Sequence, residues 1–296
     1  MFTGLSAFPL TPLRDDQVDL DAFGRIITML AGSGVDSITA LGSTGSYAYL
    51  DRDERQRVVA AAVAAAGDTP VIAGIGALRT SHAIAYARDA VDAGAQAVLL
   101  APLTYQALTV EDVYGFYGDV LGHLTVPLVV YDNPGTTHFT FTDELYGRLA
   151  ALPGVASIKI PGLPAGVTAE QRVARIRDVV PERVTIGISG DPFAADALNG
   201  GCDAWYSVIA GTLPEPALRI TRAALTGDAA GAAAESARLQ PLWDLFAEHG
   251  GSNRVVAAIA EELGLAPANS LPLPIRGLDA SARARLLDTL ATLELR

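Results

Sequence analysis

From its start to about residue 210 the chain alternates short apolar runs with amphipathic stretches of roughly 12 to 18 residues, the rhythm of βα units around a parallel sheet. The runs are "TGLSAF" (3–8), "SITAL" (37–41), "PVIAGI" (70–75), "AVLLA" (97–101), "PLVVYD" (127–132), "ASIKI" (156–160), "VTIGIS" (184–189) and "DAWYSV" (203–208). They are near-continuously apolar, as expected of strands covered on both faces. Eight strands, each leading into a helix, fit a closed (β/α)8 TIM barrel better than an open doubly wound sheet, which rhythm alone leaves possible.

The helices between them carry start and stop signals. Asp51 precedes "RDERQRVVAAAVAAAG", with Glu54 three residues on as in a capping box and Gly67 at the stop. Thr80 and Ser81 open a second helix closed by Gly94, and Thr109 opens a third. Past residue 211 strand signals disappear, and 214–225, 228–248, 252–263 and 279–294 all read as helices around one extended passage, 267–278. The expected organisation is a catalytic barrel over 1–210 and a C-terminal helical region over 211–296 packed on it.

Composition narrows the partners. A net charge of −12 opposes binding to nucleic acid or an anionic membrane. The single cysteine, Cys202, excludes an internal disulfide and a thiolate cluster, and four scattered histidines show no ligand spacing, so no metal or cofactor is expected. The first residues lack a basic segment followed by an apolar one, and the alanine run at 60–66 is too short to span a bilayer, so a cytoplasmic location is expected.

Among 21 basic residues only one is lysine, Lys159, and it stands in the apolar run "VASIKIPG" (155–162). An arginine cannot lose its proton, whereas a lysine among apolar neighbours can be driven neutral and attack a carbonyl. The bland alternative is a strand-end lysine reaching water. In a barrel, chemistry gathers at the C-terminal ends of the strands. Three such ends carry suitable groups. The second run leads into "GSTGS" (42–46), where Ser43, Thr44 and Gly45 can offer hydroxyls and backbone N–H groups to a carboxylate, although the same letters make an ordinary turn. The fifth ends at Tyr131, before the turn-forming Asn133-Pro134-Gly135, and a phenol there can move protons or merely cap the core. The sixth ends at Lys159.

Together these groups suit a 2-oxo acid such as pyruvate, its carboxylate on Ser43 and Thr44 and its keto carbon condensed with Lys159 as a Schiff base. Loss of the adjacent proton gives an enamine that adds to an aldehyde, or the reverse sequence cleaves a carbon–carbon bond. Two other classes stay open: a barrel that binds a metabolite without turnover, and a phosphate-binding or metal-dependent barrel enzyme.

The ordered motifs "FTGLSAFPLTPL", "GSTGS" with "DRDERQRVV", "GIGALRT", "YDNPGTT", "IK", "SGDPFAADALNGGCDAWYSV" and "PLPIRGL" resemble, over almost the whole chain, the dihydrodipicolinate synthase and N-acetylneuraminate lyase family of Schiff-base pyruvate aldolases. The resemblance implies Lys159 as the imine-forming lysine, Tyr131 as the relay phenol, Ser43 in place of the usual relay threonine, and Thr44 and Gly45 with Ser43 at the substrate carboxylate. It adds Tyr206 and Thr136 on the substrate side, and implies a homotetramer built from dimers. A further relay tyrosine reaches in from a neighbouring subunit in this family, and Tyr105 in "APLTYQALT" stands one position from its place. Two departures concern the second substrate. Thr136 stands near the arginine that grips the carboxylate of aspartate semialdehyde in the synthases, and Ser46 replaces a usual glutamate. Cleavage or dehydration of 2-keto-3-deoxy sugar acids or N-acetylneuraminate-like substrates therefore rivals synthesis of the dihydrodipicolinate type.

Overall fold

A computed structural model of the chain describes residues 1–295. Eight parallel strands close into a barrel in sequence order, the last pairing with the first. They are β1 (Gly4–Ala7), β2 (Ser37–Ala40), β3 (Val71–Gly74), β4 (Ala97–Leu100), β5 (Leu128–Tyr131), β6 (Val155–Ile160), β7 (Thr185–Ile188) and β8 (Ala204–Ser207). Each falls inside or within a residue of the run that foretold it. The TIM barrel with C-terminal helices read from the sequence is therefore the observed fold.

Strand alternation explains why the runs read as continuously apolar. In β4, Ala97 and Leu99 join an inner cluster with Val129, Tyr131 and Phe8, while Val98 and Leu100 join the larger core between strands and helices. In β6, Val155, Ile158 and Ile160 belong to that outer core, which leaves Ser157 and Lys159 on the inner face. Hydroxyls inside the barrel satisfy one another: Ser6 with Thr39 at 2.8 Å, and Ser157 with the Tyr206 hydroxyl at 2.7 Å.

Five of the helices around the barrel start on a side-chain cap, whereas the helix Thr80–Asp92 begins after Arg79 with no cap bond from Thr80 or Ser81. Helix α1 (Leu20–Ser33) starts on Asp19, whose carboxylate accepts from the Ala22 N–H. Helix α2 (Arg52–Ala65) has the full Asp51–Glu54 capping box, and the chain leaves it through Gly67 at φ +55°. Then come α3 (Thr80–Asp92), α4 (Val110–Leu121) with a Thr109–Asp112 box, α5 (Asp143–Ala151), α6 (Ala169–Arg177) with a Thr168–Gln171 box, α7 (Ala194–Asn199) and α8 (Pro214–Leu225). Helix α8 packs on β1 and on α7 and α1, so it occupies the eighth position of the outer ring.

The expected single helix over 228–248 is two: α9 (Ala229–Arg238) and α10 (Gln240–Glu248). Pro241 has no N–H for the carbonyl of Ala237 and its ring would collide with that oxygen, so the chain bends at the buried Leu239. Helix α11 (Asn253–Glu262), an extended passage through Ile275 and α12 (Ala280–Thr292) complete the chain. Among the described residues no helix is long and apolar enough to cross a membrane.

Candidate active site

The parallel register of β5 and β6 sets Tyr131 directly beside Lys159. The lysine side chain is 2 % exposed and its Nζ lies 3.7 Å from the centre of the Phe8 ring, 4.2 Å from that of Tyr131 and 5.8 Å from that of Tyr206. Among the described residues no carboxylate lies within ion-pair distance of it. Burial therefore dominates and pulls the ammonium down from 10.5 to about 7, with the charge of Asp191 opposing weakly. Near neutral pH a large share of the amine is uncharged, with its lone pair free.

The Tyr131 hydroxyl sits in a short chain of hydrogen bonds. The Asn133 side-chain amide donates to it at 2.8 Å, and it lies 3.2 Å from Ser43 Oγ, either oxygen being able to donate. Burial raises the Tyr131 pKa, while the Ser43 and Asn133 contacts oppose that rise by stabilising the phenolate. Thr44 is buried and lines the same cavity as Ser43. Gly45 stands behind the loop: a Cβ there would meet the Leu41 backbone nitrogen at 3.0 Å, so the missing side chain lets the loop fold back on β2.

Tyr206 packs edge-on to Phe8 at 5.9 Å and its ring lies over Gly187, where a Cβ would come within 2.3 Å of Tyr206 Cε2. Gly187 is also the register partner of Lys159. The glycine thus makes room for the aromatic wall beside the amine. Thr136 lines the cavity, exposed on the short helical turn Pro134–Thr137. Tyr105 is apart from these groups: it is 88 % exposed in the loop after β4 and does not line this chain's cavity.

Several lining groups went unassigned in the sequence. Phe8 follows Ser6 on the inner face of the first strand, so strict alternation could have placed it. Asp191 follows β7 and is fully enclosed, its carboxylate accepting from Trp205 Nε1 at 3.1 Å and from the N–H groups of Val208 at 3.1 Å and Ile209 at 2.8 Å. It ties the loop after β7 to the end of β8. Tyr47, one residue past the hydroxyl loop, is buried against the cavity near the guanidinium of Arg55. The outer wall comes from α10 and residues 250–253, which no local pattern could have assigned to a site. The cavity encloses about 990 Å³ and runs from Lys159 to that wall. Among the described residues no cluster of three or more histidine, cysteine or carboxylate side chains could hold a metal ion.

A closed (β/α)8 barrel with C-terminal helices, whose mouth buries one lysine of lowered pKa beside a hydrogen-bonded phenol, defines an enzyme of the class I aldolase type, a lyase. Comparison with known proteins gives the same class. The chain belongs to the Dihydrodipicolinate synthetase family, whose profile matches residues 1–293. It is 35 % identical over 280 residues to the 4-hydroxy-tetrahydrodipicolinate synthase of Methylococcus capsulatus, covering 94 % of this chain and 92 % of that one. With the enzyme of the same name from Halorhodospira halophila it shares 33 % identity, covering 97 % and 95 % of the two chains. Among solved structures, the dihydrodipicolinate synthase of Agrobacterium tumefaciens superimposes with a TM-score of 0.95 and 46 % identity, covering 99 % of this chain and 98 % of the other.

Proposed function

We propose that this enzyme forms a Schiff base between Lys159 and pyruvate or a close 2-oxo acid, and makes or breaks a carbon–carbon bond from the resulting enamine. The neutral Lys159 amine adds to the keto carbon, and the carbinolamine hydroxyl leaves as water with a proton given by Tyr131, which leaves a protonated imine beside the phenolate. A proton leaves the adjacent carbon and passes to the Tyr131–Ser43 pair, giving the enamine. The enamine carbon bonds to the carbonyl carbon of an aldehyde, whose oxygen takes a proton from Tyr131, and water then hydrolyses the imine. Thr44 and the backbone at Ser43 would hold the keto acid's carboxylate in that reading.

The observation that carries it is the lone lysine, buried beside Tyr131 with no carboxylate in ion-pair distance among the described residues, and the reach of the Tyr131 hydroxyl to Ser43. Borohydride added with pyruvate should fix the reduced keto acid to the protein. Since Lys159 is the single ε-amine, the intact mass and one peptide report the site. An unmodified Lys159 at saturating pyruvate overturns the reading, and Lys159→Arg, which keeps the charge, should not be labelled.

Assembly belongs to the same proposal. Tyr49, Leu78 and Tyr105 are exposed on the loops after β2, β3 and β4, a surface that suits a second copy of the chain within a tetramer. Tyr105 would there serve the neighbouring site rather than its own.

A further inference from the structure

Behind the phenol, on the outer side of the barrel, stands a buried carboxylate that the proposed chemistry leaves unused. Asp132 directly follows Tyr131, is 2 % exposed and does not line the cavity. Its backbone N–H donates to the Lys159 carbonyl at 3.0 Å, and its Oδ2 accepts from the Tyr146 hydroxyl on α5 at 2.5 Å. Its Oδ1 is buried with no hydrogen-bond partner among the described residues. An apolar side chain would serve packing alone better than a half-partnered carboxylate. Tyr146 is fixed in turn: its ring stacks on Phe141 at 5.7 Å and lies under the Arg172 guanidinium of α6, which pairs with Asp143. The Asp132–Tyr146 bond therefore ties the end of β5 to α5 across the intervening turn. That turn begins with Asn133, whose amide donates to the Tyr131 hydroxyl.

Two effects on the phenol follow. The tie keeps Tyr131 and Asn133 turned towards Lys159. The negative charge one residue away also disfavours the phenolate, so the phenolate left by imine formation is a stronger base towards a neighbouring C–H bond. Resting on the Schiff-base reading above, we propose that Asp132 is a positioning residue for proton transfer: its carboxylate, anchored on Tyr146, holds the Tyr131–Asn133 pair against the imine and keeps the phenolate basic. The step it serves breaks one C–H bond on the carbon beside the imine. The electron pair forms the enamine double bond and neutralises the iminium nitrogen, and the proton goes to the Tyr131 oxygen.

The groups facing Asp132 are Tyr146 from α5, Arg172, paired with Asp143, from α6, and Tyr117 from α4, with Tyr131 beside it and Lys159 across the strand pair. Burial outweighs the Tyr146 bond and the Arg172 charge and lifts the carboxyl from 3.8 to about 6. Once pyruvate is held as the imine, Lys159 no longer titrates as a free amine, and none of the four histidines lines the cavity. The acid limb of proton transfer then belongs to Asp132.

The test follows exchange of pyruvate's methyl protons for deuterium in D2O at saturating pyruvate, read by NMR, which needs no aldehyde. Borohydride trapping comes first: its failure on the wild-type enzyme removes the Schiff-base reading itself, and the trapped protein counts the working sites in each variant. Asp132→Asn keeps an oxygen for the Tyr146 hydroxyl and removes the charge. Per trapped site it should exchange about 10- to 100-fold more slowly, and it should lose the wild-type acid limb at about pH 6. Tyr146→Phe leaves the carboxylate without its donor, so exchange should slow and the limb should move to higher pH, because the lost bond favoured the charged form; this variant decides alone if Asp132→Asn yields no trappable protein. Wild-type exchange per site in Asp132→Asn, an acid limb that persists in it, or a limb unmoved in Tyr146→Phe overturns the proposal while leaving the Schiff base intact.

Discussion

A lysine amine kept in an apolar enclosure is bought at the expense of the fold. Between pH 7 and 10.5 the unfolded chain holds a proton on Lys159 that the native protein does not. Native stability therefore rises with pH across that window, and the cost is fully present at pH 7 and below, on the order of 3–5 kcal/mol. Lys159→Met, similar in length and uncharged, should raise the melting temperature at pH 7 by roughly 5–10 °C and give little gain near pH 10. A variant that melts at or below the wild-type temperature at pH 7 would show that the amine is not desolvated in solution. The same titration governs chemistry with the same direction: pyruvate trapping should accelerate as pH climbs through about 7 and then level off. Tyr131→Phe should still trap pyruvate, though more slowly, and lose turnover by about 10²–10⁴-fold. At this scale the sequence was legible where an unusual residue met a strand end, as at Lys159, Tyr131 and Ser43. It was silent on Asn133, which donates to the phenol, and on Asp191, because the donors around that carboxylate come from distant β8 and its following turn.

At the scale of elements, strands and capped helices follow from local chemistry. The Asp51–Glu54 box and Gly67 bound α2 as their spacing implies, because cap and stop lie within a turn of the helix they define. The break at Leu239 escaped because the apolar spacing on both sides of Pro241 continues the helical period. Gly187 is a sharper case. Nothing near it in sequence demands a glycine, yet the Tyr206 ring fills the space where a side chain would stand. Gly187→Ala should lower stability by about 1–3 kcal/mol and displace Tyr206 from Phe8. Thermal melts read the first effect and a structure the second; an alanine accommodated with no shift in either would mean the wall beside Lys159 is soft.

For the whole molecule, closure of the barrel is what gathers residues 43, 131 and 159 at one mouth, and the regular βα rhythm made that legible. The outer wall was not, since α10 reaches the mouth only through packing of the C-terminal helices, which leaves no local mark in the chain. The proposed assembly is tested at this scale. Tyr105→Asp should shift the sedimentation profile to smaller species and reduce turnover with it, while a variant of unchanged size and activity would remove Tyr105 from both interface and site.

The solitary lysine has an outcome for handling as well as for catalysis. With its one lysine buried, this chain presents no ε-amine on its exterior, so it should resist the slow cross-linking and browning that reactive carbonyls inflict on lysine-rich proteins. By the same logic, amine-directed dyes and resins should find almost nothing to hold.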